Sequence, residues 1–163
     1  MTNLKLKVGI VLLIVLLVLA LAGPAIGRAM FPGQDPLALA TWPRWQPPSS
    51  RHLLGIDEAG RDALVVVLNS IWPSLAIGLI AGLSALVLGV GIGFAAGYAG
   101  GRVDSILRTI IDTVLVIPTL PIFLILAAYI RRWDLVSMSL LLGLFGWPYV
   151  ARVIRSQVMS LRE

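Results

Sequence analysis

The chain has no cysteine and a single histidine, His52. Without thiols there is no disulfide, no thiolate metal site and no cysteine nucleophile. A lone histidine lacks the second imidazole or thiolate that a zinc site with its usual ligands requires. Charge is scarce as well: 13 basic and 8 acidic residues among 163, or 13% of the chain. Soluble domains carry about a quarter, so this one has too little polar surface to cover a water-facing exterior. The basic residues are scattered, with no Lys/Arg-rich block for a phosphate backbone to follow, and no nucleic-acid partner is expected. What is abundant is apolar length. The chain is 58% hydrophobic, its mean hydropathy is +0.95, and its apolar residues fall in long unbroken runs, as lipid selects. An all-α integral membrane protein with about four transmembrane helices follows, and the net charge of +5 reads as loops beside anionic lipid.

The first run, Val8 to Gly27, is charge-free and follows Lys5 and Lys7. Twenty residues at about 1.5 Å each match a hydrocarbon core of about 30 Å. A signal peptide with a cleavage site near Ala20-Leu21-Ala22 is the rival, but the run is long for one and more spans follow, so residues 1–27 are expected to be an uncleaved transmembrane helix. Residues 28–62 differ in character. Pro32, Pro36, Pro43, Pro47 and Pro48 preclude a regular helix, and Trp42 and Trp45 suit headgroup depth, so an extramembrane segment at the bilayer surface is expected. Helices are then predicted at about 64–99, 103–130 and 135–158 within a third region, 63–163. Pro118 and Pro121 should loosen the second of these, and Trp147-Pro148 should bend the last. Arg131-Arg132-Trp133-Asp134 reads as the turn between them, and the residues after Ala151 as a basic, weakly amphipathic extension.

Two constellations stand out in the third region. Gly89, Gly93, Gly97 and Gly101 recur every four residues, with Gly78 and Gly82 further up, which places them on one slowly drifting helix stripe. Small residues there let a second backbone approach closely, the usual way helices associate in lipid. Asp104, Arg108 and Asp112 are also four apart and share a face, so an ion pair at the membrane boundary is expected, with Arg108 as partner for Asp112. A proton relay or intramembrane chemistry at Asp112 would need a second acid deep in a facing span, and none is present.

The polar patch RHLLGIDEAGRD, Arg51 to Asp62, holds five charged residues and the histidine. It lacks the alternating oxygen-ligand spacing of a calcium loop, and no GxSxG elbow or GxxxxGK[ST] loop occurs anywhere in the chain. No enzyme reading meets its geometric requirements. Physically, the patch is the last polar segment before 39 uncharged residues, and it fixes where the long helix enters the bilayer. Gly55 and Gly60 permit turns there, while Asp57 and Asp62 can cap or pair locally with Arg61.

HLLGIDEAGRD, then AGYAGGRVDSILRTIIDTVLVIPTLPIFLILA, then GLFGWPYVARVIRSQVMSLRE together resemble the permeases of binding-protein-dependent ABC importers. The likeness is to the C-type subunit of the dipeptide, oligopeptide and nickel systems, and covers about Arg51 to Glu163. It implies the N-terminal part of a type I ABC importer permease fold, in the cytoplasmic (inner) membrane of a prokaryote, with the N-terminus cytoplasmic. The motif residues His52, Gly55, Asp57, Gly60, Arg61 and Asp62 would be extracytoplasmic, the turn YAGGRVD cytoplasmic, and RVIRSQVMSLRE would point to an ATPase subunit. The implied partners are a second permease, two ATPase subunits that bind the ATP, and an extracytoplasmic solute-binding protein; the chain itself would need no cofactor. In this family SLRE leads into an EAA-type coupling loop and two closing helices. The sequence stops at Glu163, so about half a permease is expected, unable by itself to couple ATP to transport. Peptides are the family's common cargo. A membrane-anchored helix-packing protein without transport activity is the alternative. The positive-inside count, seven basic residues against six, leans weakly to a cytoplasmic N-terminus.

Overall fold

A computed structural model describes residues 2–130 and 133–162 of the chain. Five helices form: α1 (Thr2–Met30), α2 (Ala63–Ala99), α3 (Gly101–Val116), α4 (Thr119–Tyr129) and α5 (Leu135–Arg162). Three of them, α1, α2 and α5, are long and apolar enough to cross a membrane, and the bent pair α3 and α4 makes a fourth crossing if it is one span. Among the described residues no strand forms; the nearest approach is an isolated antiparallel bridge between Ile56 and Asp62. The chain divides into two compact units, Met1–Leu75 and Ala76–Glu163, with α2 contributing to both.

In the first unit α1 outruns its expected end at residue 27 by three residues, to Met30. Arg28 sits in its last turn and donates from Nε to the Pro24 carbonyl at 3.2 Å, a cation on the negative end of the helix. The last turns of α1 pack on the first turns of α2 through two glycines four residues apart. A Cβ on Gly23 would lie 2.7 Å from the Leu68 carbonyl oxygen, and one on Gly27 would lie 2.7 Å from Val65 Cγ1. The N-terminal turns of α1 present Val, Leu and Ile outward, as a lipid-facing helix does.

In the second unit, Ala85 on α2, Ile111 on α3, and Trp147 and Ala151 on α5 form a buried cluster, with Ile92, Val114 and Leu115 packed against it. The helix expected over 103–130 is two helices. α3 ends at Val116, and α4 leaves at 69° to it. Pro118 is the cause: it brings no N–H, and it drives the preceding residue out of helical conformation, so Ile117 is extended at φ −65°, ψ 122°. Pro121 lies inside the first turn of α4, where its missing N–H costs nothing.

The expected turn at Arg131 and Arg132 lies outside the described residues. Asp134 then caps α5, its Oδ1 accepting the Ser137 N–H at 2.6 Å. α5 runs on to Arg162, past the expected end at 158, and continues as one helix through the expected bend, with Pro148 buried inside it.

The glycine contacts make a graded prediction. A Cβ on Gly93 would meet the Ala151 carbonyl oxygen at 2.5 Å and Ala151 Cα at 3.0 Å, whereas one on Gly78 meets nothing within 4 Å. Gly93→Ala should destabilise the second unit by about 1–3 kcal/mol through overpacking. Gly78→Ala should be neutral or stabilising by up to about 1 kcal/mol. Denaturant titration of the two variants in the same micelles, followed by circular dichroism, checks the order.

Candidate functional site

The polar patch folds into a compact cap on the start of α2. Asp62 is its centre and is fully buried. Its Oδ1 accepts the Val65 N–H at 3.0 Å, which satisfies an orphan donor in the first turn of α2. Its Oδ2 lies 2.9 Å from His52 Nδ1. Because the carboxylate can only accept, His52 carries its proton on Nδ1 in this contact. The imidazole stacks on Phe31 (centroids 5.5 Å apart, planes 11°) and packs edge to face with Trp42 (centroids 4.9 Å apart, planes 64°). Trp42 packs into the cap against Phe31 and His52, while Trp45 remains 74% exposed.

The surrounding backbone explains the glycines. Gly55 and Gly60 both have φ of +77°, a region L side chains rarely adopt. A Cβ on Gly55 would collide with the Gln46 carbonyl oxygen, and one on Gly60 would lie 2.6 Å from the Trp42 carbonyl oxygen. That close approach lets Trp42 N–H reach Gly60 C=O at 3.1 Å and Ile56 N–H reach Gln46 C=O at 3.0 Å. Asp57 closes the turn: Oδ1 accepts the N–H groups of Ala59 (2.8 Å) and Arg61 (2.9 Å), and Oδ2 accepts Arg61 Nε at 2.9 Å. The backbone N–H of Arg61, with its guanidinium and the Ala59 N–H, holds the Asp57 carboxyl below its ordinary value of 3.8 against the opposing effect of burial.

In the second unit the expected glycine stripe meets α5. Gly89 faces Val150 and Trp147, Gly93 faces Ala151 and Ile154, and Gly97 faces Val158 and Arg155. Gly101 is not in this row. It lies beyond the end of α2, has φ of +53°, and a Cβ there would meet open space. The sequence reading also missed that α5 supplies the small residues further along. A Cβ on Gly143 would collide with Ser84 Oγ, and one on Gly146 would touch Ala85 Cβ at 3.3 Å. Their spacing of three in GLFG was the available signal.

The acids of α3 pair across to α5, where helical spacing alone had pointed to Arg108. Asp104 binds Arg155 through both oxygens, Nη2 lying 2.7 Å from Oδ2. Asp112 accepts from Arg152 Nη2 at 2.7 Å, and it also forms the expected ion pair with Arg108, whose Nε stands 3.6 Å away without a hydrogen bond. The order, early with late and late with early, is what an antiparallel pair of helices produces. A planar guanidinium can bind both oxygens of one carboxylate, and Arg155 on the packed face takes that geometry with Asp104. Beside the helix break, a groove of about 380 Å³ is lined by Val116 to Thr119 and by Phe123, Phe145 and Tyr149, with no charged side chain.

The residues described make an all-α, multi-pass membrane protein with a bent helix pair beside a small-residue seam. Residues 89–163 match the family "Binding-protein-dependent transport system inner membrane component". The chain is 28% identical over 156 residues to the oligopeptide transport system permease protein OppC of Bacillus subtilis, covering 96% of this chain and 49% of that protein. It is 31% identical over 129 residues to the probable D,D-dipeptide transport system permease protein DdpC of Escherichia coli, covering 79% and 43%. OppC of Mycobacterium tuberculosis is 29% identical over 122 residues, 72% and 41%. Residues 89–163 thus carry the likeness to that transport family, and the relatives over the longer alignments are named as permease proteins of oligopeptide and D,D-dipeptide transport systems. The chain spans 41–49% of the length of these relatives.

The cap yields two predictions. Asp62→Ala removes the helix cap, worth about 0.5–2 kcal/mol, and leaves the His52 N–H buried without an acceptor, which adds about 1–3 kcal/mol. Accelerated proteolysis between residues 40 and 62 in the variant, with α5 still protected, is the expected readout. Because the pKa of Asp57 is depressed in the folded chain, its contribution is complete above the ordinary value of 3.8 and is lost as pH falls through the lower, folded value. Protection of the Ala59 and Arg61 amides, which Asp57 accepts, from hydrogen exchange should therefore be lost only below about pH 4. In Asp57→Asn that acid-induced step should be missing.

Proposed function

We propose that this chain forms part of a permease subunit in an ATP-driven importer for di- or oligopeptides or related solutes. One observation carries the reading: the family-matched residues 89–163 are those that build the glycine seam, the α3–α5 ion pairs and the broken span. Helix breaks in lipid are tolerated where the freed backbone faces protein or a water-filled pathway, and in transporters they border the solute site. The groove at Ile117–Pro118 offers backbone polar groups and aromatic walls without fixed charge, a surface suited to a neutral peptide segment passing along it.

In this reading the N-terminus is cytoplasmic, and the His52–Asp62 cap lies outside, on the side from which solute arrives. The turn at Gly100–Asp104 and the C-terminal turns of α5 lie inside. The membrane is a prokaryotic cytoplasmic membrane. A solute-binding protein delivers cargo, a second permease completes the pathway, and two ATPase subunits bind and hydrolyse the ATP. The chain performs no covalent chemistry and holds no cofactor of its own. Its part is to offer a rigid seam and a deformable break to an alternating-access cycle driven from elsewhere.

Deleting the coding sequence should abolish energy-dependent uptake of labelled trialanine by intact cells, and re-expression should restore it. Re-expression of a Gly93→Leu variant, which forces the seam apart, should restore less than about a tenth, in line with the rate losses that follow small misplacements. Unchanged trialanine uptake in the deletion strain would reject the peptide-importer reading.

A further inference from the structure

We infer that the groove between α3 and α5 at Arg108, Asp112 and Arg152 is a binding site for the headgroup of an anionic phospholipid. Five side chains build it: Arg108, Asp112 and Arg152 at the rim, and Ile111 and Met159 as an apolar floor, with the already paired Arg155 beside them. Asp112 is one carboxylate facing two guanidiniums. It accepts a hydrogen bond from Arg152 at 2.7 Å and leaves Arg108 at 3.6 Å, so the rim retains one positive charge. Arg155 does not alter that balance, because Asp104 neutralises it.

The two rim arginines are also the accessible ones, their side chains 66% and 56% exposed against 18% for Arg155. Each guanidinium has five N–H donors. Arg152 donates one to Asp112 at 2.7 Å. A phosphodiester monoanion matches the charge, and its oxygens match paired guanidinium donors.

The setting favours lipid over an acidic protein. The same turns of α3 and α5 that carry the arginines expose Ile106, Ile110 and Val153, at 61%, 45% and 58%. Arginine rims next to outward aliphatic side chains fit a molecule with an anionic head and a hydrocarbon tail. Asp112 lies about 12 Å along the helix from Asp104, so the groove opens near the polar turn that starts α3 and not at the far end of the helix. Basic pockets between membrane helices take anionic headgroups for these electrostatic reasons. The inference stands on the groove alone and holds whatever solute the assembly carries.

The test uses the full chain in neutral detergent micelles. Thermal unfolding is followed while dioleoylphosphatidylglycerol, dioleoylphosphatidylcholine or sodium phosphate is added. Phosphatidylglycerol should raise the midpoint saturably, while phosphatidylcholine and phosphate should not. Arg108→Gln breaks no hydrogen bond within the groove and should weaken the apparent affinity about fivefold, as expected for one arginine near an anionic surface. Asp112→Asn should bind phosphatidylglycerol at least as tightly as the unaltered chain, since it removes the competing carboxylate; a purely structural ion network would show no such gain. Arg44→Gln, in the first unit, should leave the affinity unchanged. An equal response to phosphatidylcholine would overturn the inference. So would an equal response to phosphate, which would make the site one for free anions, or a loss in Arg44→Gln matching that in Arg108→Gln.

Discussion

Helices α2 and α5 gain nothing from hydrophobicity by meeting in lipid, because acyl chains are as apolar as the leucines they would replace. Their association has to come from close backbone approach, and that is what Gly89, Gly93 and Gly97 permit. Where α2 turns to larger residues, the requirement passes to α5, whose Gly143 and Gly146 sit against Ser84 and Ala85. The second unit depends on this exchange. With the backbones close, Trp147 and Ala151 can reach Ile111 and form a buried cluster from residues that would otherwise face acyl chains. Dispersion within that cluster, tiny for each atom pair, accumulates only because no side chain holds the helices apart.

The ion pairs follow from the same approach. Asp104 and Arg155 are each less than one-fifth exposed, and a buried charge without its partner is far more costly than the pair is stabilising. The pair therefore acts chiefly as a register lock: sliding α3 against α5 by one turn would strand both groups. Asp112 and Arg152, about half exposed, carry less of that penalty and leave room for competition by other anions or cations. The gradient from locked to accessible along one helix pair separates structure from potential binding surface.

Much of this was legible in sequence, and the failures have physical causes. A four-residue glycine period announces a packing face because helical geometry forces it, and Gly89, Gly93 and Gly97 lie where the period places them. Gly101 broke the pattern because a period cannot show where the helix stops; a second glycine at 100 ends it one residue too soon. The Arg108–Asp112 ion pair was legible because spacing along one helix is visible in a sequence. Arg152, forty residues away, is not, and that tertiary contact adds the hydrogen bond that Arg108 does not make. The break at Pro118 was expected as a kink. Its size, 69°, depended on Ile117 becoming extended, a response to the proline ring that the surrounding apolar run concealed.

The cap before α2 shows why a patch dense in polar side chains need not be chemical. His52, Asp57, Arg61 and Asp62 have the residue types of an active site, yet His52 Nδ1 and both carboxylates end on partners within the same twelve residues or the turn that follows. Gly55 and Gly60 are there because carbonyl oxygens of the preceding loop occupy the space where their side chains would be. His52 is held by Asp62 at one edge and aromatic rings at its face, so its imidazole is a structural bridge between loop and helix. A motif built this way constrains sequence as tightly as catalysis would, since losing one member leaves another buried and unsatisfied. The pattern marks a fold element that must survive at the mouth of a membrane helix, where water on one side and lipid on the other leave the first-turn N–H groups few alternative acceptors.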